Sequence, residues 1–387
     1  MENIDHNQSP RPLEGIKVIE MAGLAPSPYC GMLLADFGAE VVVVDRISGK
    51  GVEIPNLMDR NPFYRGKRFM KVNLKAPQGA QVIRDMIRHY DVLIEPYRPG
   101  VMEGLGLGPD EALQINPSLI YARLTGWGQT GPYARMAGHD INYIALSGAL
   151  SLFRRKGQKP LAPGNILGDF AGGGLLCAMG ILLALLERHK SGKGQVIDVA
   201  MLDGALNLIT FFFSMWAHGL MTLEIGTNML DSGAHYYETY ETADGKFLAV
   251  GAIEERFYRQ LLEIMGLATD SLPPQNQTEA WPQMKERFQE VFKTKTRDEW
   301  MSLFEGTDAC VAPVLDLDEV HLHPHNKERG ILGEIAGVRQ PLPAPRLSRT
   351  PGRPGDISQD TVTEAVLSEL GYTKESIQEL VKKGILQ

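Results

Sequence analysis

A histidine and an aspartate, thirty positions apart, are the residues best suited to proton chemistry in this chain. His139 lies in segment 138–143 (GHDINY), just before an apolar, helix-like run, and Asp169 lies in segment 168–174 (GDFAGGG), just before a long apolar helix. An imidazole and a carboxylate that face one substrate can remove a proton and return another. Taken alone, His139 is more typical of a packed or surface histidine, and Asp169 of a helix N-cap.

Three glycines at 172–174 favour a functional interpretation of Asp169. Glycine is a poor choice in the first turn of a helix, unless a ligand must approach the backbone closely. Free N–H groups and the helix dipole would then face that ligand, which suits a developing oxyanion. Asp140, next to His139, is most simply the N-cap of the following helix.

Strands and helices that alternate from residue 16 to 216 would position these residues. Continuous valine runs such as 40–44 predict buried parallel strands, and the apolar stripe of 77–89 predicts a helix. The predicted strands are 16–21, 40–44, 68–74, 91–95, 119–125 and 195–199, and the predicted helices are 26–37, 77–89, 109–115, 142–151, 170–189 and 202–216. This order predicts an α/β fold: an open parallel sheet with helices on both faces and a ligand crevice beyond the strand ends.

A chain of 387 residues is too long for one ordinary domain, and its pattern changes after residue 218. An Asp-Gly hairpin signal at 242–245, followed by helices, predicts a smaller α+β domain. The predicted organisation is a flexible tail (1–12), a large Rossmann-like domain (13–218), a linker (219–235), a small α+β domain (236–320), a return linker (321–354) and C-terminal helices on the large domain (355–387).

Composition and local motifs disfavour several classes of protein. The net charge of -8 argues against a nucleic-acid partner. The three cysteines, without a CxxC spacing, fit neither a disulfide framework nor a zinc site, and the HLHPH run at 321–325 fits an irregular loop better than a metal site. The longest apolar run, 175–186, is too short to span a bilayer, and no signal peptide or peroxisomal address is recognised, so a cytoplasmic protein without a membrane partner is expected.

Basic side chains near the predicted strand ends suit an anionic ligand. Arg46, Lys67, Arg68, Lys75 and Arg98 either remain solvated or share one rim that binds phosphate groups. The opening βαβ unit lacks the Gly-x-Gly-x-x-Gly turn of a dinucleotide site, which disfavours NAD. Glu254 follows a strand of the second domain and is most simply the N-cap of the helix after it.

Three segments together resemble the racemase branch of the family III CoA-transferase (CaiB/BaiF) superfamily. They are 138–143, 168–174 and 245–254 (GKFLAVGAIE), and 23–26, 34–39, 194–198 and 325–330 also match. The similarity extends from about Leu13 to the final helices. The resemblance implies a Rossmann-like large domain and a small domain joined by two long linkers in an interlocked homodimer. The active site would lie between the large domain of one subunit and the small domain of the other.

The resemblance also implies an activity and a set of site residues. The expected reaction interconverts (2R)- and (2S)-2-methylacyl-CoA thioesters by proton transfer through an enolate, with no cofactor beyond the coenzyme A of the substrate. His139 and Asp169 would be the acid/base pair, with Glu254 of the partner chain beside His139, and the backbone N–H groups of Asp169 and Phe170 would hold the thioester oxygen. The expected CoA-binding residues are Arg46, Lys67, Val72, Asn73, Leu74, Lys75, Arg98, Gly138, Asp140, Ile141, Asn142 and Tyr143.

Two other functions remain open from the sequence. In a CoA transferase on the same fold, Asp169 would be a covalent nucleophile. A nucleotide-binding regulator is disfavoured by the missing glycines. The methionines at 215, 221 and 229 either fill the core or offer a soft apolar surface to varied acyl chains. For a eukaryotic source, the resemblance adds mitochondria and peroxisomes to the cytoplasm as compartments.

Overall fold

The computed structural model describes residues 10–47, 60–267, 271–358 and 361–387, which form two compact units. The first unit comprises Met1–Ser147, Gly164–Leu208 and Lys327–Gln387, and the second comprises Gly148–Pro163 and Ile209–Asn326. Most of the predicted tail, residues 1–9, lies outside the described residues. The domain boundaries inferred from the sequence stay a prediction.

A six-stranded parallel sheet forms the centre of the first unit, in the order β3-β2-β1-β4-β5-β6. Its strands are β1 (Lys17–Met21), β2 (Glu40–Asp45), β3 (Lys67–Lys71), β4 (Val92–Glu95), β5 (Ile120–Thr125) and β6 (Gln195–Ala200). The valines of β2 are buried because helices cover both faces, as expected for a parallel sheet. The predicted α/β fold with a smaller second part is confirmed.

Seven helices of the first unit precede or follow these strands. They are α1 (Pro26–Asp36), α2 (Pro77–His89), α3 (Val101–Gly104), α4 (Pro109–Ile115), α5 (Asp140–Leu146), α6 (Leu176–Ser191), which continues a π-helix (Ile166–Leu175), and α7 (Met201–Leu208). Three of them begin at a proline, whose fixed φ suits the first helical position. Two apolar layers result, since Ile19 and Val18 of β1 point to opposite faces of the sheet.

The second unit has a small antiparallel sheet packed against helices. Its elements are α8 (Thr210–Ala217), β7 (Tyr237–Glu241), β8 (Phe247–Gly251), α9 (Glu255–Ile264), α10 (Trp281–Phe292), α11 (Arg297–Phe304) and β9 (Val311–Pro313). The β7–β8 hairpin turns at Gly245, whose φ of +76° agrees with the predicted Asp-Gly turn. Its core is aromatic, with Tyr240, Phe288 and Trp300 among the fully buried side chains.

The chain then returns to the first unit. The last elements are α12 (Pro324–Arg329), β10 (Leu332–Ile335), β11 (Val338–Pro341), α13 (Thr363–Glu369) and α14 (Lys374–Lys382). Val366, Leu367 and Ile377 pack into the apolar layer that also contains the buried face of α2. Asn73, just after β3, donates its backbone N–H to the carbonyl of Ile385 at 2.9 Å. The C-terminal segment therefore completes the core of the first unit.

The π-helix and α6 form one continuous helix of 26 residues, Ile166–Ser191, which is longer than the sequence predicted. By length and composition it could cross a membrane, so the expectation that the apolar run is too short is wrong. Core helices of soluble proteins satisfy the same criterion. Here Gly172, Cys177 and Ile181 are buried against the first unit, while Leu182 and Leu183 are exposed.

Candidate active site

The loops that follow β1, β4 and β5 surround one cavity of about 410 Å³. Strand order reverses between β1 and β4, because β2 and β3 extend the sheet on one side and β5 and β6 on the other. Loops on either side of such a reversal diverge and leave a crevice at the carboxyl ends of the strands. Gly23 and Leu24 line it after β1, Tyr97 and Arg98 after β4, and Trp127 after β5.

His139 and Asp169 both line this cavity. His139 is exposed and is the N-cap of α5, where its backbone N–H donates to Oδ1 of Asn142 at 3.0 Å. Asp169 is half-buried in the first turn of the π-helix. The two groups interact electrostatically, since His139 acts to lower the pKa of Asp169. The structure thus brings together the imidazole and the carboxylate that were selected from the sequence.

Burial raises the pKa of the Asp169 carboxyl above its ordinary value, and the negative charge of Asp140 adds to that rise. Two partners oppose it: Asn165 donates its side-chain amide to Oδ2 at 3.0 Å, and His139 contributes a favourable charge. The shift brings the pKa of the Asp169 carboxyl closer to neutral pH. A carboxylate with a raised pKa takes up a proton more readily than an exposed aspartate does.

Asp169 is not the N-cap that the sequence suggested. The helix begins at Ile166 with Asn165 as its N-cap, so Asp169 lies within the first turn. The ten residues Ile166–Leu175 have π-helical geometry. This geometry is rare in proteins as a whole, and where it occurs it is often at a functional site. Asn165 was missed; its signal is an amide placed four residues before a carboxylate, a spacing that brings the two side chains onto one helix face.

The glycines of the 168–174 segment provide room for neighbouring helices rather than for a ligand. A Cβ at Gly172 would lie 2.8 Å from the backbone nitrogen of Ala205 in α7, and one at Gly174 would lie 2.6 Å from the carbonyl oxygen of Pro26 in α1. A Cβ at Gly204 of α7 would lie only 2.0 Å from the carbonyl oxygen of Gly172. The interpretation of these glycines as a backbone approach site for substrate is therefore wrong.

Asp140 is also not the cap of its own helix. His139 takes that position, and the Asp140 side chain, only 4% exposed, turns toward the π-helix. Its Oδ1 accepts hydrogen bonds from the backbone N–H groups of Gly168 at 2.6 Å and Asp169 at 2.8 Å. The Asp169 N–H is thus already bonded and is not free to hold a thioester oxygen, whereas the expected role of the Phe170 N–H stays a prediction.

Tyr143 forms an aromatic wall of the cavity together with Trp127. The two ring centroids are 4.8 Å apart in an edge-to-face arrangement, and the Tyr143 hydroxyl donates to the carbonyl of Gly138. Burial, with a smaller contribution from the charge of Asp169, raises the pKa of Tyr143 to about 12. A Cβ at Gly138 would lie 2.7 Å from the Tyr143 ring, so a glycine is required there. The wall fixes the loop that leads into His139.

Two of the predicted CoA contacts are exposed cations near the same strand ends. Arg98 follows β4 and lines the cavity. Arg46 directly follows β2 and is exposed, and its charge acts to lower the pKa of the cavity-lining Tyr97. Ile141 and Asn142 are exposed on α5, outside the residues that line the cavity.

The predicted contacts after β3 pack against the C-terminal segment. Val72 is fully buried and forms a bridge with Leu386, and Leu74 is half-buried against the same apolar layer. Asn73 uses Oδ1 to accept the backbone N–H of Lys75, whose own side chain is exposed. These residues do not line the cavity. Their contact with coenzyme A stays a prediction.

Lys67 is unsuited to binding a phosphate in this structure. The sequence placed it near a strand end, but it is the first residue of β3. Its ammonium is fully enclosed, with Oε2 of Glu20 at 2.6 Å and the carbonyl of Pro28 at 2.8 Å. Burial lowers the pKa of Lys67, while the charge of Glu20 opposes that shift. The neighbouring Arg68 is likewise engaged, with Glu40 and Glu369.

Glu254 belongs to the second unit, at the start of α9. It is the N-cap by position, and its backbone carbonyl accepts the N–H groups of Phe257 and Tyr258. Its exposed carboxylate makes no capping hydrogen bond, so the N-cap role accounts for the position of the Glu254 backbone but not for its carboxylate. Its placement beside His139 stays a prediction.

Several cavity-lining residues were not selected from the sequence. Trp127, Tyr97 and Met136 all line it, and Met136 is 52% exposed. Trp127 had a usable signal, since it lies in the glycine-rich loop directly after a predicted strand. Met136 had none, because an isolated methionine in an irregular loop carries no periodic pattern.

Known proteins resemble this chain in sequence and in fold. The sequence profile of CoA-transferase family III matches residues 13–359. The chain is 50% identical to alpha-methylacyl-CoA racemase of Mus musculus over 379 residues and of Homo sapiens over 380 residues, covering 97% of this chain and 97% of each relative. A crystal structure of a CaiB/BaiF family protein from Brucella suis has a TM-score of 0.80 at 25% identity and covers 94% of this chain and 100% of that chain.

Proposed function

Because the chain belongs to CoA-transferase family III, we propose that it interconverts (2R)- and (2S)-2-methylacyl-CoA thioesters. The family predicted from the motifs is confirmed, and with it the prediction of an enzyme, since the relatives that share half of its residues are isomerases by name. One observation carries the proposal for the site: His139 and Asp169 line one cavity at the point where the strand order reverses.

The proposed reaction moves a proton on and off carbon 2 of the acyl group. The thioester carbonyl acidifies that proton, and its removal leaves an enolate. One member of the His139–Asp169 pair acts as base on one face, while the other, protonated, delivers a proton to the opposite face. The raised pKa of Asp169 supports this, because it brings the pKa of the carboxyl closer to the pKa of an imidazole. The two groups then exchange roles according to the hand of the substrate.

The enolate oxygen needs hydrogen-bond donors, and the N–H of Asp169 is already occupied. We assign this task to the first turn of α5, directly after His139. The first N–H groups of an α-helix have no acceptor within the helix, and the positive end of the dipole lies there. At α5 these are the N–H groups of Asp140 and Ile141. A donor of this type is typically worth about 3 kcal/mol in the transition state.

Substrate binding and the partner chain are proposed from the charges and the family. The exposed guanidinium groups of Arg98 and Arg46 are suited to the phosphates of coenzyme A, since arginine binds phosphate bidentately. Glu254 of a second copy of the chain would orient the His139 imidazole and favour its charged form. The Glu254 carboxylate makes no capping hydrogen bond to its own helix, which supports this role. No cofactor is required, because the thioester itself acidifies the proton.

A CoA transferase is the second candidate, supported by the family that the profile describes. In that reaction Asp169 would attack the thioester and carry the CoA group covalently to or from an acceptor acid. His139, which lines the same cavity, has no assigned task in such a transfer.

Deuterium exchange separates the two candidates. An enantiopure 2-methylacyl-CoA is incubated with the protein in deuterated water without an acceptor acid, and carbon 2 is followed by proton NMR and chiral analysis. The proposal predicts deuterium at carbon 2 together with loss of enantiomeric purity. CoA transfer that depends on an added acid, without exchange at carbon 2, would contradict it and support the transferase.

A further inference from the structure

We propose that Asp140 is a positioning residue that ties the start of α5 to the first turn of the π-helix and so fixes His139 and Asp169 relative to each other. This inference rests on the proposed function, because it assigns those two residues to the reaction. It gives Asp140 a task different from the CoA contact expected from the sequence. It also uses a buried carboxylate that the mechanism itself does not consume.

The tie consists of two short hydrogen bonds to one oxygen. Oδ1 of Asp140 accepts the N–H of Gly168 at 2.6 Å and that of Asp169 at 2.8 Å. Asp140 follows His139 directly in sequence, and one of its two donors is the backbone of Asp169 itself. Hydrogen bonds to a charged acceptor are stronger than neutral ones. A single side chain therefore joins the backbones that carry the acid and the base.

Gly168 is shaped for this contact. A Cβ at that position would lie 2.6 Å from Oδ1 and 3.0 Å from Cγ of Asp140, and 3.3 Å from a methyl group of Ile144. Any larger residue would displace the carboxylate and break both hydrogen bonds. The glycine that opens the GDFAGGG segment is thus explained by Asp140, whereas Gly172 and Gly174 are explained by helix packing.

The second oxygen of the carboxylate points to more than helix capping. Oδ2 is buried and has no hydrogen-bond partner among the described residues. A buried carboxylate oxygen without a hydrogen bond is energetically unfavourable, and helix capping alone does not explain it. Its field does act on the site, since it raises the pKa of Asp169 against the opposing effect of His139. Tyr143 also interacts with this carboxyl, since the charge of Asp140 acts to raise the pKa of Tyr143, while the charge of Arg98 acts to lower it.

Only the backbone N–H of Asp140 is assigned to the enolate oxygen, and its carboxylate is not among the groups that line the cavity, so replacing the side chain tests positioning separately from substrate binding. The experiment measures kcat and KM for both enantiomers of a 2-methylacyl-CoA as a function of pH. Asp140→Ala removes both hydrogen bonds, and kcat should fall by about 100-fold, the scale on which a displaced catalytic group slows a reaction. KM should stay within about threefold, because binding of the CoA group is unaffected.

Asp140→Asn tests the charge separately, because the amide oxygen can still accept both N–H groups. Its kcat should stay within about tenfold of wild type. For the substrate enantiomer whose carbon-2 proton Asp169 removes, the acidic limb of the kcat/KM profile should move to lower pH, since the negative charge that raises the pKa of Asp169 is gone. A purely structural role for Asp140 would not move this limb.

Amide hydrogen exchange gives a readout independent of activity. The Gly168 and Asp169 amides should be protected in wild type and in Asp140→Asn, and unprotected in Asp140→Ala. Asn116→Ala is the matched control: its side chain bonds the carbonyls of Ile87 and Tyr90 in the same unit, away from the cavity. It should lower stability while retaining kcat and the pH profile.

Two results would overturn the proposal. One is an Asp140→Ala protein with wild-type kcat and pH profile, or with a loss confined to KM. The other, decisive if Asp140→Ala does not fold, is a wild-type protein whose Gly168 and Asp169 amides are not protected from exchange. Failure of the proposed function looks different: the wild type itself would not interconvert the enantiomers, while the amide exchange pattern would still show whether Asp140 holds the π-helix.

Discussion

Each of the two units buries a titratable side chain that its surroundings shift toward the neutral form. In the first unit burial raises the pKa of Asp169, and in the second unit burial lowers the pKa of His235 to about 4, with Lys285 adding to the effect. Both shifts have the same leading cause, the loss of water around a charge. The surroundings differ: Asp169 faces a cavity beside His139, whereas His235 is 1% exposed.

His235 is enclosed by aromatic rings and bonded to a tyrosine hydroxyl. Its ring centroid lies 5.1 Å from those of Tyr236 and Phe288, and its Nε2 is 2.7 Å from the Tyr258 hydroxyl. No substrate could reach it without opening that core. A shifted pKa therefore marks a candidate catalytic group only when a cavity and a second proton-handling group accompany it. Substitutions of Asp169 and His235 test this distinction.

Replacing Asp169 should have the largest effect on activity. Asp169→Asn removes one of the two proton carriers, and the interconversion rate should fall by about 10³- to 10⁴-fold. Stability should be retained: the folded pKa is raised, so ionised Asp169 lowers stability as the pH rises above the ordinary aspartate value, and the amide avoids this loss. Chiral analysis and urea unfolding at pH 7 measure the two quantities.

The counterpart in the second unit is His235→Gln, whose interconversion rate should remain within about threefold of wild type. If this substitution abolished catalysis in a folded protein that binds substrate, the contrast between the two units would not hold.

Gly204→Ala should have the largest effect on stability. A methyl group there meets the backbone of Gly172 in the π-helix, which is not the end of a flexible side chain and cannot yield. Overpacking of this kind typically lowers the free energy of unfolding by about 1 to 3 kcal/mol, here at the upper end. Urea unfolding checks it, with Leu206→Ala at an exposed position of the same helix as control.

A Gly204→Ala protein of wild-type stability that had lost affinity for a CoA thioester would restore the interpretation of these glycines as a ligand site. Calorimetric titration with the thioester distinguishes the two cases.

Acid should destabilise the protein through His235. A histidine whose folded pKa is lowered contributes stability above its unfolded pKa of about 6.5, and this contribution is lost as the pH falls toward the folded value of about 4. The full difference corresponds to at most about 3 kcal/mol. His235→Gln cannot titrate, so its stability should fall less steeply between pH 7 and pH 4 in urea unfolding.

The exposed His89 provides the comparison for this measurement. His89→Gln should have the wild-type slope. Equal slopes for wild type and His235→Gln would mean that His235 is not the group whose protonation acid unfolding requires.

Asn165→Ala should have the smallest effect. Its amide bonds Oδ2 of Asp169 and favours the charged form, so its removal raises the pKa of Asp169 further. For the substrate enantiomer whose carbon-2 proton Asp169 removes, the acidic limb of the pH–rate profile should move to higher pH, and the rate at neutral pH should change by less than about tenfold. Asn165→Asp tests the sign again, since a second carboxylate beside Asp169 raises its pKa too.

The sheet and most helices were predictable because they depend on local pattern. The apolar run of β2 predicts a buried strand, and the apolar stripe of α2 predicts an amphipathic helix. Both elements lie within a residue or so of their predicted bounds. The hairpin at Gly245 follows from the need for a positive φ. The pairing of His139 with Asp169 was predicted from their residue types and from the family resemblance, and both residues line one cavity.

The start of the long helix and the use of its glycines were not predictable in the same way. Helix propensity treats glycine as a breaker, but at Gly172 the gain from close packing against α7 outweighs it. Asp140 was misassigned because a local rule gives it to its own helix, whereas its partners are twenty-eight and twenty-nine residues away. Lys67 was misassigned because its partner Glu20 lies on a non-adjacent strand.

Racemisation by His139 and Asp169 depends on where carbon 2 of the acyl group lies. A crystal structure of the protein with a 2-methylacyl-CoA thioester bound measures this directly. We predict carbon 2 in the cavity bordered by Tyr97 and Trp127, with the His139 imidazole and the Asp169 carboxylate on opposite faces, each about 3 to 3.5 Å from it. A thioester bound with both groups on the same face of carbon 2, or with carbon 2 outside this cavity, would contradict the proposed racemisation.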